Sequence, residues 1–269
     1  MTEILFLGCG KMGSILAKNL LEEKTLKAAK IKVIDPSQNN KISQLTYFKT
    51  AQDLPKNYQA DLVFICIKPQ GAKEILSDFS QSKNFKKNTI FISILAGKKI
   101  EFFEKIFGKT AKIIRSMPNL PIQDSQGIFS YFPNKNIAAT ELKKLEKIFQ
   151  KFGLSFQMQN EKLFDAVTAI FGSGPAYIFL LQEIFAQIAT KLGIEKNTSA
   201  ELIKTLFLGS ALMSCNSKSN FSDLRESVTS KGGTTQAALD ILQEKSALKN
   251  LITNAINAAI ERSKELSRN

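Results

Sequence analysis

Through roughly its first 160 residues the chain alternates short apolar runs with stretches of helical periodicity. The runs Ile4–Leu7, Ile31–Ile34, Leu62–Cys66, Ile90–Ile94 and Lys112–Arg115 read as strands. Met12–Glu23, Gly71–Phe79 and Ile100–Phe107 lie between them and read as helices. Strand, helix, strand at this spacing predicts βαβ units, a parallel sheet and right-handed crossovers. The apolar runs do not alternate strictly, which suits strands buried on both faces. Gly127–Phe132 and Leu154–Gln157 flank a helical stretch at Ala138–Phe152 and are expected to extend the sheet. Beyond about residue 160 helical periodicity takes over. Ala176–Leu192 is apolar nearly all round, with Glu183 and Gln187 as interruptions, as in a helix buried in a core or a subunit interface. Thr198 followed by Glu201 reads as a capping box. Leu248–Leu266 reads as an amphipathic terminal helix. The fold class is α/β: a parallel-sheet domain over 1–160, then an all-helical domain over 161–269, with the boundary near 158–164.

Composition narrows the chemistry. A chain of 269 residues fits one or two domains. Histidine is absent, which excludes Ser-His-Asp and Cys-His nucleophiles and histidine zinc sites. The three cysteines, Cys9, Cys66 and Cys215, are far apart and form no CxxC pair, so neither a disulfide framework nor a metal site is expected. The opening MTEILFLGCGKMGS does not read as a signal peptide, and no run of about 18 consecutive apolar residues occurs. A cytoplasmic location and no membrane span are therefore expected. The net charge of +13 admits nucleic acid, an anionic membrane surface or anionic small molecules as partners. The lysines are spread along the chain without a block of like charge, so nucleic acid is not the expected partner.

The sharpest motif is Gly8-Cys9-Gly10-Lys11-Met12-Gly13, which follows a strand and opens a helix. In such a GxGxxG loop the first glycine permits a tight turn and the second lets a pyrophosphate approach the backbone. The third lets helix and strand pack closely, and the phosphates meet the positive helix N-terminus. Asp35 lies 22 residues after Gly13, at the end of the second strand. A carboxylate there hydrogen-bonds a ribose diol and repels a 2′-phosphate, which favours NADH. The polar run Ser37, Gln38, Asn39, Asn40, Lys41 accommodates a phosphate if Asp35 turns away, and Asp-Pro is also a plain turn starter. Lys68-Pro69-Gln70, Ala96-Gly97 and Arg115-Ser116-Met117-Pro118-Asn119 stand at three successive strand ends, where open α/β sheets bind ligands. Gly172-Ser173-Gly174-Pro175 reads as a helix start, with Ser173 as N-cap and Pro175 in the first turn. Val228–Thr235, with Ser230, Lys231, Gly232, Gly233 and Thr234, offers glycines, hydroxyls and free amides before a helix. That pattern serves a substrate carboxylate, or equally a capped helix start.

Taken in order, FLGCGKMG (6–13), IKPQ (67–70), SILAG (93–97), RSMPN (115–119), LFDAVTAIFGSGPAY (163–177) and LRESVTSKGGTT (224–235) resemble the pyrroline-5-carboxylate reductases. The resemblance covers nearly the whole chain, and its last two stretches are the specific ones. It implies a Rossmann domain over 1–160 and an all-helical C-terminal domain that dimerises and often assembles further. It implies hydride transfer from NADPH or NADH to the C=N carbon of 1-pyrroline-5-carboxylate, giving L-proline in the last step of proline biosynthesis. It implies that Gly8, Cys9, Gly10, Lys11, Met12, Gly13, Asp35, Ile67, Lys68, Pro69, Ala96 and Asn119 bind the cofactor. Ser230, Gly232, Gly233, Thr234 and Thr235 would hold the small imine acid, with Thr235 nearest the ring nitrogen as the catalytic group. The chain departs from the family pattern at Leu120, Gln187, Asn220-Phe221 and Lys231. Those departures admit two alternatives: reduction of a different cyclic imine, and dinucleotide binding without turnover.

Overall fold

The computed structural model describes residues 2–22, 30–37 and 39–268. Glu23, at the end of the expected first helix, and Gln38 of the polar loop lie outside the described residues. The strands are β1 Glu3–Leu7, β2 Lys30–Ile34, β3 Thr46–Phe48, β4 Ala60–Ile65, β5 Phe85–Ser93, β6 Lys112–Pro118, β7 Gly127–Pro133 and β8 Gly153–Gln157. The helices are α1 Lys11–Glu22, α2 Ala72–Gln81, α3 Ile100–Phe107, α4 Ala139–Phe149, α5 Phe164–Val167, α6 Gly174–Lys191, α7 Lys196–Asn216, α8 Phe221–Ser227, α9 Thr234–Gln243 and α10 Ala247–Arg268. Two compact units result: 1–173 with 259–269, and 174–258.

Among the described residues the first unit holds one eight-stranded sheet in the order β3-β2-β1-β4-β5-β6-β7-β8. Every neighbouring pair is parallel except β6 with β7. Chain order reverses at β1, which lies between β2 and β4. A crevice therefore opens beyond its carboxyl end, the switch point where such sheets bind ligands. The period of two along each strand explains the missing polar alternation. Ile4, Phe6, Phe64, Ile92 and Ile114 enter one apolar layer with Leu16 and Leu20 of α1 and Leu145 and Phe149 of α4. Leu5, Leu7, Val63, Ile65, Phe91 and Ile113 enter the other, with Leu76 and Phe79 of α2 and Phe103 of α3. Both faces are covered, so the strands read as continuous apolar runs. Stacked rings bind each layer: Phe6 on Phe64 at 4.8 Å and Phe91 on Phe107 at 4.1 Å between centroids. Burying each such ring contributes about 1.5–3 kcal/mol.

Three local expectations need correction. Arg115–Pro118 do not follow a strand; they form its second half, because β7 returns antiparallel and pairs Arg115 with Phe132 through Pro118 with Phe129. Ser173 is not an N-cap. It sits in right-handed helical geometry (φ −86°, ψ −17°) and its N–H donates to the Thr168 carbonyl at 2.9 Å. Helix therefore runs from 164 through a π turn at Thr168–Gly172 into α6. The cap of α7 is Glu195, three residues before the expected Thr198; its carboxylate accepts the N–H groups of Asn197 and Thr198.

The second unit consists of α6–α9 and most of α10. It buries little within one chain: α6 has no buried residue and α7 only Ser199. Phe185 meets Phe207 edge-on at 5.9 Å, but Phe179, Leu180, Ile188, Leu206, Leu212 and Leu251 stay exposed. An apolar surface of this extent marks an interaction face. Among the described residues one helical stretch, Glu161–Lys191, is long and apolar enough to cross a membrane by length and composition.

Candidate active site

The glycine loop is built by close approach. A Cβ on Gly8, at φ +86°, would lie 2.8 Å from the Cys66 carbonyl oxygen. One on Gly13 would lie 2.8 Å from the Gly8 oxygen, so α1 packs directly on the turn. Gly10 differs: nothing lies within 4 Å of its Cβ position. The loop is tight beneath and open above, the shape a phosphate group requires. The α1 ladder starts with the Ser14 N–H on the Gly10 carbonyl at 2.9 Å. The amides of Lys11, Met12 and Gly13 therefore precede the ladder and point out of the helix start.

Asp35 fixes this loop. Its carboxylate accepts the Cys9 N–H at 2.6 Å, the Ser37 N–H at 2.9 Å and the Ser37 hydroxyl at 2.7 Å. The residue is 7% exposed, and it shares a cavity of about 560 Å³ with Gly8, Gly10, Ile67 and Lys68. Five of the twelve expected cofactor residues thus line one space. Ser37, Lys49 and Thr50 line it too. Lys49 and Thr50 were not legible as site residues, because they follow the three-residue strand β3, which has no recognisable run.

The remaining expected residues are placed differently. The Cys9 side chain is buried in the core beside Tyr47, its sulfur 3.5 Å from the hydroxyl, so only its backbone serves the loop. Pro69 lines a neighbouring cavity. Ala96 packs against the small cluster of Met117, Met158, Phe164 and Val167. Asn119 is a brace: its amide nitrogen donates to the Phe171 carbonyl at 3.1 Å and its amide oxygen accepts the Ile128 N–H at 2.7 Å.

Burial raises the thiol pKa of both Cys9 and Cys66, and Tyr47 is pushed up to about 12 by burial and its bond to Cys9. Both thiols then stay protonated at neutral pH, and thiols alkylate through their thiolates. Native protein treated with iodoacetamide at about pH 7.5 is expected to spare both, though unperturbed thiols there already ionise by several per cent. Peptide mass mapping checks this; rapid labelling of Cys9 contradicts it.

One group escaped sequence reasoning. Glu161 accepts the Ile100 N–H at the start of α3 at 2.8 Å and the Arg115 Nη1 at 3.1 Å. Arg115 is 2% exposed, lies 4.5 Å over the Phe164 ring, and its Nε and Nη2 have no partner among the described residues. Its pKa is lowered by burial and held up by Glu161. Glu161 therefore ties α3, β6 and the segment leading to α5 together. Glu161→Ala leaves a buried charge without its carboxylate and is expected to lower stability by about 3 kcal/mol, read as a lower urea midpoint.

In the second unit, Ser230, Gly232, Gly233, Thr234 and Thr235 do come together. Gly232 turns at φ +72°, the Gly233 N–H donates to the Ser230 carbonyl at 3.0 Å, and Gly233 caps α9. The α9 ladder starts with the Ala237 N–H on the Gly233 carbonyl at 3.2 Å. The Thr234, Thr235 and Gln236 amides precede it, giving a second anion-ready helix start. Ser230, Lys231, Thr234 and Thr235 are all exposed.

A parallel sheet with this glycine loop, this cavity and this second helix start defines a dinucleotide-dependent oxidoreductase. Residues 3–97 match the family model described as NADP oxidoreductase, coenzyme F420-dependent, and residues 161–266 match pyrroline-5-carboxylate reductase dimerisation. The pyrroline-5-carboxylate reductase of Pseudomonas aeruginosa is 32% identical over 267 residues, covering 98% of this chain and 96% of that one. The crystal structure of the Plasmodium falciparum pyrroline carboxylate reductase with NADP bound is 30% identical with a TM-score of 0.86, covering 99% of this chain and 98% of that one. The Coxiella burnetii enzyme is also 30% identical, with a TM-score of 0.85 and the same coverage. The chain belongs to the pyrroline-5-carboxylate reductase family.

Proposed function

We propose that this protein reduces 1-pyrroline-5-carboxylate to L-proline with NAD(P)H. The observation that carries the reading is that each unit has a helix start with free amides, α1 beside the open Gly10 cradle in the first and α9 beside Thr235 in the second. Full-length kinship to named reductases supports it. The bound nicotinamide supplies the hydride. The chain's own residues do the rest. The amides of Lys11–Gly13 hold the pyrophosphate. Asp35 stands by the adenosine ribose, and its buried charge favours NADH. Ile67, Lys68 and Pro69 border the cofactor, while Ala96 and Asn119 hold the strand-end turns. The Gly232–Thr235 amides and the Ser230 and Thr234 hydroxyls grip the substrate carboxylate.

An imine needs no strong base, since its protonated form accepts hydride readily. The Thr235 hydroxyl orients the ring nitrogen or relays a proton to it from solvent water, taking one proton as it gives one, and the lack of histidine removes nothing the reaction needs. Cofactor deuterated at the transferred position should give proline carrying deuterium at the ring carbon remote from the carboxylate. Proline without label would refute the reaction.

Residues 1–160 form the dinucleotide-binding part of this reading and 161–269 the substrate and dimerisation part. The exposed apolar side chains of α6, α7 and α10 pair with a second copy, which also accounts for the apolar stretch Glu161–Lys191 without a membrane. A protein built this way works in the cytoplasm and uses no nucleic acid. Sedimentation should give at least twice the 29.9 kDa chain mass, and Ile188→Asp, on α6, should shift the mass towards one chain.

A further inference from the structure

A second cavity of about 710 Å³ opens beside the cofactor loops, between the start of α2, the β5–α3 turn and the end of α10. Its charge is lopsided. Lys73, Lys98, Lys99, Lys105 and Arg262 line it against Glu74 and Glu101. Two of these cations are already engaged: Lys105 with Glu101 and Arg262 with Glu265, each at 2.7 Å. Lys73, Lys98 and Lys99 remain against Glu74 alone. Lys98 is the unusual one. It is 7% exposed, yet among the described residues it forms no hydrogen bond or ion pair. Its ammonium lies 5.1 Å from the Phe102 ring centroid, and Phe102 lines the same cavity. A lysine buried over most of its length and left without a counter-charge gains from an anion that joins it.

The backbone adds to this field. The helices α2 and α3, of 10 and 8 residues, both begin at the cavity, with Gly71–Glu74 and with Lys99 and Glu101 on its wall. The Ile75 N–H opens the α2 ladder on the Gly71 carbonyl at 3.2 Å, so the Lys73 and Glu74 amides precede it. The α3 start is already met by the Glu161 carboxylate on the Ile100 N–H, so the positive end of α2 and the unpaired Lys98 are what converge on this space. Phe102, Ile106 and Leu266 give the rest of that space an apolar wall.

We propose that this cavity binds a small organic anion, a phosphate or carboxylate carried on a partly apolar body. Lys98 pairs with the anionic group, the Lys73 and Glu74 amides at the α2 start share its charge, and Phe102, Ile106 and Leu266 cover the apolar body. Gly97 closes the floor: a Cβ there would lie 2.9 Å from the Leu266 backbone. The site lies apart from the Gly10 cradle, though Gln70 borders both cavities. It does not depend on which imine the enzyme reduces.

The test is calorimetric titration of phenyl phosphate and of benzoate into the full-length protein saturated with NADPH, so that the Gly10 cradle is filled. At least one of the two should bind, and the tighter one tells phosphate from carboxylate. Lys98→Met keeps the side-chain length without the charge and should weaken that binding by about tenfold, the effect of one lost charge pair of about 1.4 kcal/mol. Should Lys98→Met fail to bind NADPH and so prove misfolded, the exposed pair Lys73→Gln with Lys99→Gln carries the test, with a weakening of about threefold. Affinity unchanged in the folded variants, or no binding of either compound at about 10 mM, overturns the proposal.

Discussion

Thr235→Ala is expected to lower kcat/KM for the imine by about a hundredfold, the lower end of what a positioned proton-transfer group contributes. The Kd for NADPH should stay within about twofold, because Thr235 lies in the second unit and the Gly10 cradle in the first. With no histidine, a protonic role falls on a hydroxyl, a lysine or water. Thr235 stands in the first turn of α9, among amides that precede the helical ladder. On the proposed function, a carboxylate gripped there would lie beside the threonine hydroxyl. Thr235→Ser keeps that hydroxyl and should recover most of the loss. Lost stability alone would lower activity in both variants; loss in alanine with recovery in serine separates chemistry from folding. Unchanged kcat/KM in Thr235→Ala would remove the residue from the mechanism.

Gly10→Val should raise the Kd for either dinucleotide by more than about tenfold, equivalent to more than 1.4 kcal/mol, while changing the melting temperature little. Space decides both halves. A side chain on Gly10 meets nothing in the protein, since its Cβ position is open to 4 Å, but it fills the space a phosphate would enter. Gly8→Ala is the contrast. Its Cβ would press on the Cys66 carbonyl, and its backbone sits at φ +86°. Such a strained position costs about 1–3 kcal/mol, so Gly8→Ala should destabilise the fold as well as weaken binding. Fluorescence titration of NADH with thermal melts separates the two. Equal melting losses in both variants would show that Gly10 is a structural glycine.

The sheet was legible because its strands are buried on both faces, and burial writes continuous apolar runs such as ILFL and LVFIC. β3 was not, because an edge strand of three residues carries no period. The extension of β6 to Pro118 was hidden for another reason: only the antiparallel return of β7 provides pairing there. Ser173 misled because Ser-Gly-Pro has the composition of a helix start, whereas the π turn before it keeps the chain helical.

The candidate site divides along the same line. The glycine loop and Asp35 were legible from local spacing, and the structure gathers Gly8, Gly10, Asp35, Ile67 and Lys68 on one cavity. Local spacing does not reveal what a side chain is already bonded to. Asn119 is expected at the cofactor from its strand-end position, and the fold adds what spacing does not show, its bonds to Phe171 and Ile128. Glu161 and Arg115 are 46 positions apart, so no motif links them, yet they share a bond beneath α3. Lys98 follows a turn that drew notice only for Ala96-Gly97, and its burial depends on the folded cavity.

The Gly10 cradle is proposed to hold the cofactor and the α9 start the substrate of the same reduction. The most direct test follows nicotinamide absorbance when the purified protein meets 1-pyrroline-5-carboxylate, with NADH and NADPH in parallel. Enzyme-dependent oxidation that yields L-proline is expected, faster with NADH if the buried Asp35 charge governs the choice. Measurable dinucleotide binding with no oxidation of either cofactor would contradict it, and would point to a changed substrate or a lost activity around Lys231.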